Sequence, residues 1–166
     1  RVLFRSIQSV IMQKLEIICP VQVLSEEDLA VADLQLVRAA CEATSRSYAP
    51  YSSFSVGAAL RLADGTVIQG NNQENAAYPS GLCAERTAMF YAHAAHPELA
   101  FDTLAIAAHD GKGFTARPVT PCGACRQVMT EMAKASGHAF RVLLYGTECI
   151  YLLEDARMLL PLSFDL

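Results

Sequence analysis

Two short cysteine motifs, each at the predicted start of a helix, constrain the fold of this chain most strongly. The first is Cys83-Ala84-Glu85 and the second is Pro121-Cys122-Gly123-Ala124-Cys125. Cys122 and Cys125, three positions apart, lie on the same face of a helix. The unpaired N–H groups and the dipole at a helix start favour thiolate, the form of cysteine that binds metals. If Cys83 faces the other two sulfurs, the fold has to bring two helix starts together around one ion.

Such a set of ligands indicates a catalytic zinc site. Three sulfur ligands suit zinc, and they leave one position of a tetrahedral site open. An open position admits a water whose pKa zinc can lower to about 7. Glu85 lies two positions from Cys83, so that it can take a proton from this water and deliver protons to a substrate.

The pattern around these motifs alternates between strands and helices. Ser25 and Asp28 nearly form a capping box, which predicts a helix that starts there and ends at residues 44–50. Further helices are predicted at about 83–93 and 122–134, with a short last helix at 154–160. Strands are predicted at 54–62, 67–70, 103–108, 141–145 and 149–153, the first two joined by a hairpin turn at 63–66. This order predicts a three-layer α/β/α sandwich around a mixed sheet of about five strands, the later ones parallel.

Composition limits the partners and the surroundings of the chain. Its 166 residues carry a formal charge of −4, which gives no general attraction to nucleic acid. No apolar run approaches the roughly 20 residues of a membrane-spanning helix, so a soluble protein is expected. Six cysteines, three of them in metal-binding motifs, favour a reducing, cytoplasmic location.

The first part of the chain stands apart from the rest. Residues 1–24 fit a secretory signal poorly, because polar and charged residues interrupt their apolar ones. We expect a leader, or an edge strand around residues 15–23. The predicted domain therefore spans residues 25–166, and the role of residues 1–24 is left open.

Four ordered segments resemble the cytidine deaminases of the small, homotetrameric, zinc-dependent type. They are residues 51–60, 72–79, 83–88 and 121–128, and residues 159–164 match the C-terminal end of the family. Zinc deaminases combine a Cys-x-x-Cys pair with a glutamate that is not a ligand, and Cys83 replaces the histidine that this pattern often carries. The resemblance covers about residues 25–166.

The resemblance implies a set of substrate contacts. Asn72 and Glu74 match a pair that binds the 3′-hydroxyl of the ribose, and Phe54 matches an aromatic residue at the pyrimidine. Ala84 and Thr120 match positions whose backbone N–H and C=O groups bind the base. The substrate is then a free nucleoside.

It also implies a supporting residue and a shared site. Arg86 matches an arginine that hydrogen-bonds the ligand sulfurs and offsets the negative charge of three thiolates. Tyr78 and Phe164 match aromatic residues that reach the active site of a neighbouring subunit, which implies a homotetramer with one zinc ion per subunit. The activity implied is hydrolytic deamination of cytidine and deoxycytidine to uridine and deoxyuridine, in pyrimidine salvage.

Two alternatives stay open at the level of sequence. The first is a structural zinc module closed by a fourth ligand, for which Cys41, Cys149, His93, His96 and His109 are candidates. None of them has a paired spacing with the motif cysteines, and Cys41 is better interpreted as a small buried residue. The second is a related deaminase that acts on a nucleotide, a base in nucleic acid or an aminonucleoside antibiotic. A carboxylate at the sugar suits a hydroxyl better than a phosphate, which argues against the nucleotide.

Overall fold

A single mixed sheet organises residues 14–165, which are the residues described in the computed structural model. Its strands are β1 (Gln22–Leu24), β2 (Ser55–Leu62), β3 (Val67–Asn71), β4 (Phe101–His109), β5 (Arg141–Tyr145) and β6 (Ile150–Leu153). The helices are α1 (Val31–Ala43), α2 (Ala84–Ala95) and α3 (Gly123–Ser136). Short 3₁₀ turns occur at Glu26–Asp28, Thr44–Arg46, Tyr78–Ser80 and Ala156–Leu159. Within residues 14–165, no helix combines the length and apolar character needed to cross a bilayer.

The strand order is β1-β6-β5-β4-β2-β3. The sheet has six strands where about five were expected, because Gln22–Leu24 pairs antiparallel with β6 at the sheet edge. This is the expected edge strand, although it begins later than residue 15. Residues 1–13 of the N-terminal segment, and Leu166 at the end of the predicted domain, lie outside the described residues. The division of the chain at residue 25 stays a prediction.

The directions of the strands agree with the prediction at the start of the sheet and differ at its end. β2 and β3 form the expected antiparallel hairpin, in whose turn Gly65 adopts a φ of 91°, a conformation that favours glycine. β4 and β5 are parallel, as expected. The expectation of parallel later strands is wrong for β6, which runs antiparallel to β5. The two are joined by residues 146–149 alone, which form a hairpin turn because a parallel crossover needs a much longer connection.

Helices cover both faces of the sheet and confirm the three-layer arrangement. Neighbouring residues of a strand point to opposite faces, so Ala58 and Ala59 belong to separate hydrophobic clusters. On one face, α1 packs through Leu36, Val37 and Ala40. On the other face, α2 and α3 pack through residues that include Ala84, Ala88, Met89, Cys125 and Met129. The cysteine-bearing helices therefore share a face.

Helix α1 begins later than the sequence predicts. Ser25 and Asp28 do form the capping box, in which the Ser25 N–H and Oγ each lie 2.8 Å from Asp28 Oδ2. That box caps only the turn Glu26–Asp28, because Leu29 and Ala30 are extended, with ψ of 142° and 148°. The last predicted helix is likewise reduced to the 3₁₀ turn Ala156–Leu159.

Gly70 allows the start of α2 to lie directly on strand β3. A Cβ atom at this position would lie 2.5 Å from the backbone oxygen of Ala84 and 2.6 Å from the nitrogen of Ala88. No side chain fits there without a backbone shift. The absence of a side chain in Gly70 thus sets the height of α2, and of the preceding Cys83, above the sheet.

Candidate active site

Three cysteine sulfurs meet where α2 and α3 begin. Cys83 and Cys122 are the residues that precede the first turns of the two helices, and Cys125 lies within the first turn of α3. The Sγ atoms of Cys83 and Cys122 are 3.8 Å apart, and those of Cys122 and Cys125 are 3.5 Å apart. All three lie within 4.8 Å of one another, and no other group of potential metal ligands clusters in this way among residues 14–165.

This geometry fits a zinc ion. Zinc–sulfur bonds of about 2.3 Å at tetrahedral angles place the sulfurs about 3.8 Å apart, close to the 3.8 and 3.5 Å of the Cys83–Cys122 and Cys122–Cys125 pairs. The donor set is soft, which favours zinc over magnesium or calcium. Three ligands leave the fourth tetrahedral position free for water or substrate.

Contacts within the cluster favour the thiolate form of Cys83. A hydrogen bond with the Cys125 thiol, with further bonds from Arg86 and Cys122, lowers the pKa of Cys83 to about 5 although burial opposes this. The same Cys83–Cys125 bond, together with burial, raises the pKa of Cys125. Cys83 therefore ionises more readily than Cys125, and a bound metal would displace the proton of Cys125.

Arg86 lies one turn along α2 from Cys83 and faces its sulfur. Its Nη2 is 3.8 Å from Cys83 Sγ and 3.5 Å from the carbonyl oxygen of Gly81. Its Nε is buried and has no hydrogen-bond partner among the described residues. The guanidinium charge thus lies beside the thiolate cluster, as the resemblance implied.

Glu85 is a buried carboxyl beside the same cluster. It is the second residue of α2 and only 4% exposed. Burial raises its pKa, and the negative charge of Cys83 adds to this, while a hydrogen bond with Cys125 acts in the opposite direction. A carboxyl whose pKa is raised keeps its proton to a higher pH than usual, which favours a role as a general acid.

A cavity of about 530 Å³ opens next to the cysteines, a size typical of small-molecule sites. It is lined by Tyr51, Ser52, Asn72, Gln73, Glu74, Asn75, Tyr78, Gly81, Leu82, Cys83 and Arg86. Five of the residues predicted from the sequence are in this lining: Asn72, Glu74, Tyr78, Cys83 and Arg86. The other predicted residues do not line it: Phe54, Ala84, Glu85, Thr120, Cys122, Cys125 and Phe164.

Asn72 and Glu74 both line the cavity and follow the last residue of β3. The Asn72 side chain bridges two backbone groups: its Oδ1 accepts from the Val56 N–H at 2.8 Å, and its Nδ2 donates to the Phe54 oxygen at 2.9 Å. Glu74 Oε2 accepts the Tyr51 N–H at 2.8 Å. Both side chains are held in fixed orientations, and Phe54 is tied to Asn72.

The two residues predicted to bind the base through their backbone occupy different settings. Ala84 is fully buried as the first residue of α2. Thr120 is exposed just before the second cysteine motif, and its Oγ1 accepts from Arg126 Nη2 at 3.2 Å. Arg126 also donates to the Pro121 oxygen at 2.8 Å, so it fixes the approach to Cys122.

The two aromatic residues expected at a subunit contact are both on the surface. Tyr78 is 76% exposed and Phe164 is 70% exposed. Tyr78 lines the cavity and packs edge-on against Tyr51, with ring centroids 6.2 Å apart. The backbone of Phe164 is held by the Gln127 side chain, with a bond of 2.9 Å to its oxygen.

Sequence reasoning missed Ser52, which touches two of the predicted residues. Its hydroxyl donates to Glu74 Oε1 and accepts from the Phe54 N–H at 3.1 Å. Ser52 lies within residues 51–60, the first segment that matches the family, and this membership was the signal in the sequence that could have indicated a role for it. The candidate fourth ligands do not join the cysteines, and burial raises the pKa of the half-buried Cys41 to about 11.

Comparison with known proteins identifies related sequences. The model of the family described as "Cytidine and deoxycytidylate deaminase zinc-binding region" matches residues 31–137. The cytidine deaminase of Halalkalibacterium halodurans is 48% identical over 111 residues, which are 67% of this chain and 80% of that protein. The cytidine deaminase of Sporosarcina psychrophila is 44% identical over 112 residues, 68% of this chain and 78% of that protein.

Solved structures show the same fold. The crystal structure of cytidine deaminase from Burkholderia pseudomallei aligns with a TM-score of 0.67 and 41% identity, over 78% of this chain and 97% of that one. That of the Mycobacterium tuberculosis enzyme aligns with a TM-score of 0.64 and 30% identity, over 82% of this chain and 100% of that one.

Proposed function

The chain belongs to the cytidine and deoxycytidylate deaminase family, and on this basis we propose that it hydrolyses cytidine and deoxycytidine. One water is consumed, ammonia is released, and uridine or deoxyuridine remains. The observation that carries the proposal is the convergence of three cysteine sulfurs beside the buried carboxyl of Glu85. Cys83 belongs both to that cluster and to the lining of the cavity, so the chemistry and the binding space adjoin.

Cys83, Cys122 and Cys125 would hold one zinc ion. Bound zinc would supply Lewis-acid activation of a water at its open position. Arg86 offsets the charge of the three thiolates through its contact with Cys83. It thereby limits the loss of acidity that an all-thiolate site imposes on that water.

Glu85 is the proposed proton carrier. Its carboxylate accepts a proton from the attacking water and delivers it to N3 of the pyrimidine. It then takes the remaining proton of that water from the new C4 hydroxyl and delivers it to the amino nitrogen. The C4–N bond breaks, ammonia leaves, and the C4 carbonyl of the product forms. The burial of Glu85 raises its pKa, and this favours the protonated form that has to donate to N3.

The sugar and the base are recognised by separate groups. We assign the ribose hydroxyl to Asn72 and Glu74, the face of the base to Phe54, and its polar edge to the backbone of Ala84 and Thr120. Glu74 keeps a negative charge near the sugar, since hydrogen bonds from Ser52 and Tyr51 lower its pKa. That charge repels a phosphate and selects a free nucleoside.

The remaining parts of the proposal concern assembly and setting. Tyr78 and Phe164 expose their rings, as contacts with a neighbouring subunit require, and we assign them to shared sites in a homotetramer. The catalytic domain is assigned to residues 25–166, and the role to pyrimidine salvage in the cytoplasm.

Ammonia release from cytidine, deoxycytidine, CMP and blasticidin tests the substrate assignment. We expect turnover of the two nucleosides, and preference for CMP or blasticidin would assign the site to another deaminase. Glu85→Gln should retain zinc and lose at least about 100-fold in kcat, whereas Cys122→Ala should lose zinc. Near-normal turnover by Glu85→Gln, or unchanged zinc content in Cys122→Ala, contradicts the assigned roles.

A further inference from the structure

The carboxylate of Glu74 is held almost entirely by one short segment of chain. Its Oε2 accepts the backbone N–H groups of Tyr51 and Ser52 at 2.8 and 3.3 Å. Its Oε1 accepts the Ser52 hydroxyl. A carboxylate offers about four lone-pair positions, so these three donors leave one position for a ligand in the cavity.

Ser52 also connects Glu74 to the segment that carries Phe54. The same Oγ atom that donates to Glu74 accepts the Phe54 N–H at 3.1 Å. Phe54 is bonded in turn through its oxygen to Asn72 Nδ2. A chain of hydrogen bonds from Glu74 through Ser52 and Phe54 to Asn72 therefore links the residue assigned to the base with both residues assigned to the sugar.

The backbone next to Ser52 is shaped for this contact. Ser53 has a φ of 55°, in the left-handed region that non-glycine residues adopt at an energetic cost. This turn brings the Phe54 N–H back to the Ser52 hydroxyl, which in turn donates to Glu74. Such strain persists where the surrounding contacts determine the conformation, and those contacts include the bonds to Glu74.

We propose that Ser52 is a positioning residue for sugar recognition: its hydroxyl orients Glu74 so that the remaining acceptor position of the carboxylate faces the 3′-hydroxyl of the nucleoside. The inference rests on the proposed deamination of nucleosides. Without the hydroxyl of Ser52, Glu74 keeps its charge but loses the donor that fixes Oε1. Discrimination between sugars then falls, while the chemistry at the cysteine cluster is unaffected.

The test compares cytidine with 3′-deoxycytidine in the intact zinc-loaded protein and in Ser52→Ala. We expect kcat/KM for cytidine to fall about tenfold, the size of one hydrogen bond to a charged group, and mainly through KM. For 3′-deoxycytidine, kcat/KM should stay within about twofold. Ser52→Thr, which retains a hydroxyl, should restore the preference for cytidine.

A matched control is Ser45→Ala, since Ser45 is exposed and its hydroxyl donates to the backbone oxygen of Glu42 at 2.8 Å, away from the cavity lining. It should leave both rates unchanged. Equal losses on both substrates in Ser52→Ala, no loss on either, or failure of Ser52→Thr to restore the preference overturns the positioning role. Absence of ammonia release by the unaltered protein from both substrates overturns the proposed function itself, and the role of Ser52 with it.

Discussion

Asp33 provides the sharpest test of the energetics of the fold, because two arginines from different strands converge on its carboxylate. Arg61 Nη2 of β2 lies 2.8 Å from Oδ1, and Arg141 of β5 donates to Oδ2 and Oδ1 at 2.8 and 2.9 Å. The Asp33 side chain is 8% exposed, whereas those of Arg61 and Arg141 are 16% and 29% exposed. The first turn of α1 is thus bonded to two strands of the sheet.

Asp33→Ala removes the shared partner and leaves two half-buried guanidinium groups without it. Breaking a buried ion pair on one side destabilises by about 3–5 kcal/mol. We expect about 3 kcal/mol, since both arginines retain some access to water. In a chain of this size that corresponds to a fall in Tm of about 6–12 °C.

The pH dependence has a definite sign. Burial alone would raise the pKa of Asp33, but hydrogen bonds from Arg141 and Arg61 outweigh it and lower the pKa. A carboxyl whose pKa is lower in the folded than in the unfolded state stabilises the folded protein, and this stabilisation is fully present at pH values above the unfolded pKa, near 3.9. This contribution is lost as the pH falls through the pKa of Asp33 in the folded state. The difference in stability between the unaltered protein and Asp33→Ala should therefore be full at pH 7 and shrink progressively below about pH 4.

Thermal and urea unfolding of both proteins at one concentration measures the difference. Asp102→Ala is the matched control, because Asp102 bonds the same Arg61, through Nε at 2.6 Å, but its side chain is 43% exposed. Asp102→Ala should lower the free energy of unfolding by less than about 1 kcal/mol. If Asp33→Ala costs no more than Asp102→Ala, the network does not stabilise the fold in the way described.

Two further predictions concern helix α2 and the cysteines. Gly70→Ala should destabilise the folded state by about 1–3 kcal/mol and reduce zinc content, because its Cβ would lie 2.5 Å from the Ala84 oxygen. The control is Gly113→Ala, whose Cβ would meet open space, so it should change neither unfolding nor zinc content. Equal effects of the two substitutions would refute the close packing at Gly70. In metal-free protein, peptide mapping after alkylation at pH 6 should find Cys83 modified and Cys41 unmodified, since their pKa values are about 5 and about 11. Below pH 5 the reactivity of Cys83 should fall, and a midpoint near pH 9 would contradict the favoured thiolate form of Cys83.

Local signals predicted the centre of the site well. Helices α2 and α3 begin one residue after Cys83 and Cys122, within a residue of the predicted starts, because helical periodicity is a local signal. Strand β5 was predicted with its observed bounds, since a short apolar run between polar segments is a clear strand signal.

Features that depend on contacts distant in sequence could not be predicted. An edge strand was expected near β1, but its bounds were not predicted, because its three residues are mostly exposed and are defined by backbone pairing to β6. The bond of Ser52 to Glu74 spans 22 positions, and that of Arg141 to Asp33 spans 108. The local spacing of residues in the sequence does not indicate that such distant residues are hydrogen-bonded.

The proximity of Cys83 and Cys122 has a consequence for the unfolded chain as well as for the site. Their sulfurs are 3.8 Å apart although 39 positions separate them. If both sulfurs bind one ion, the chain between them forms a closed loop that contains α2 and β4. By the relation used for disulfides, a loop of this length restricts the denatured ensemble by about 4 kcal/mol at 25 °C. A metal bound at this site would therefore also act as a reversible cross-link, and its removal would lower the free energy of unfolding.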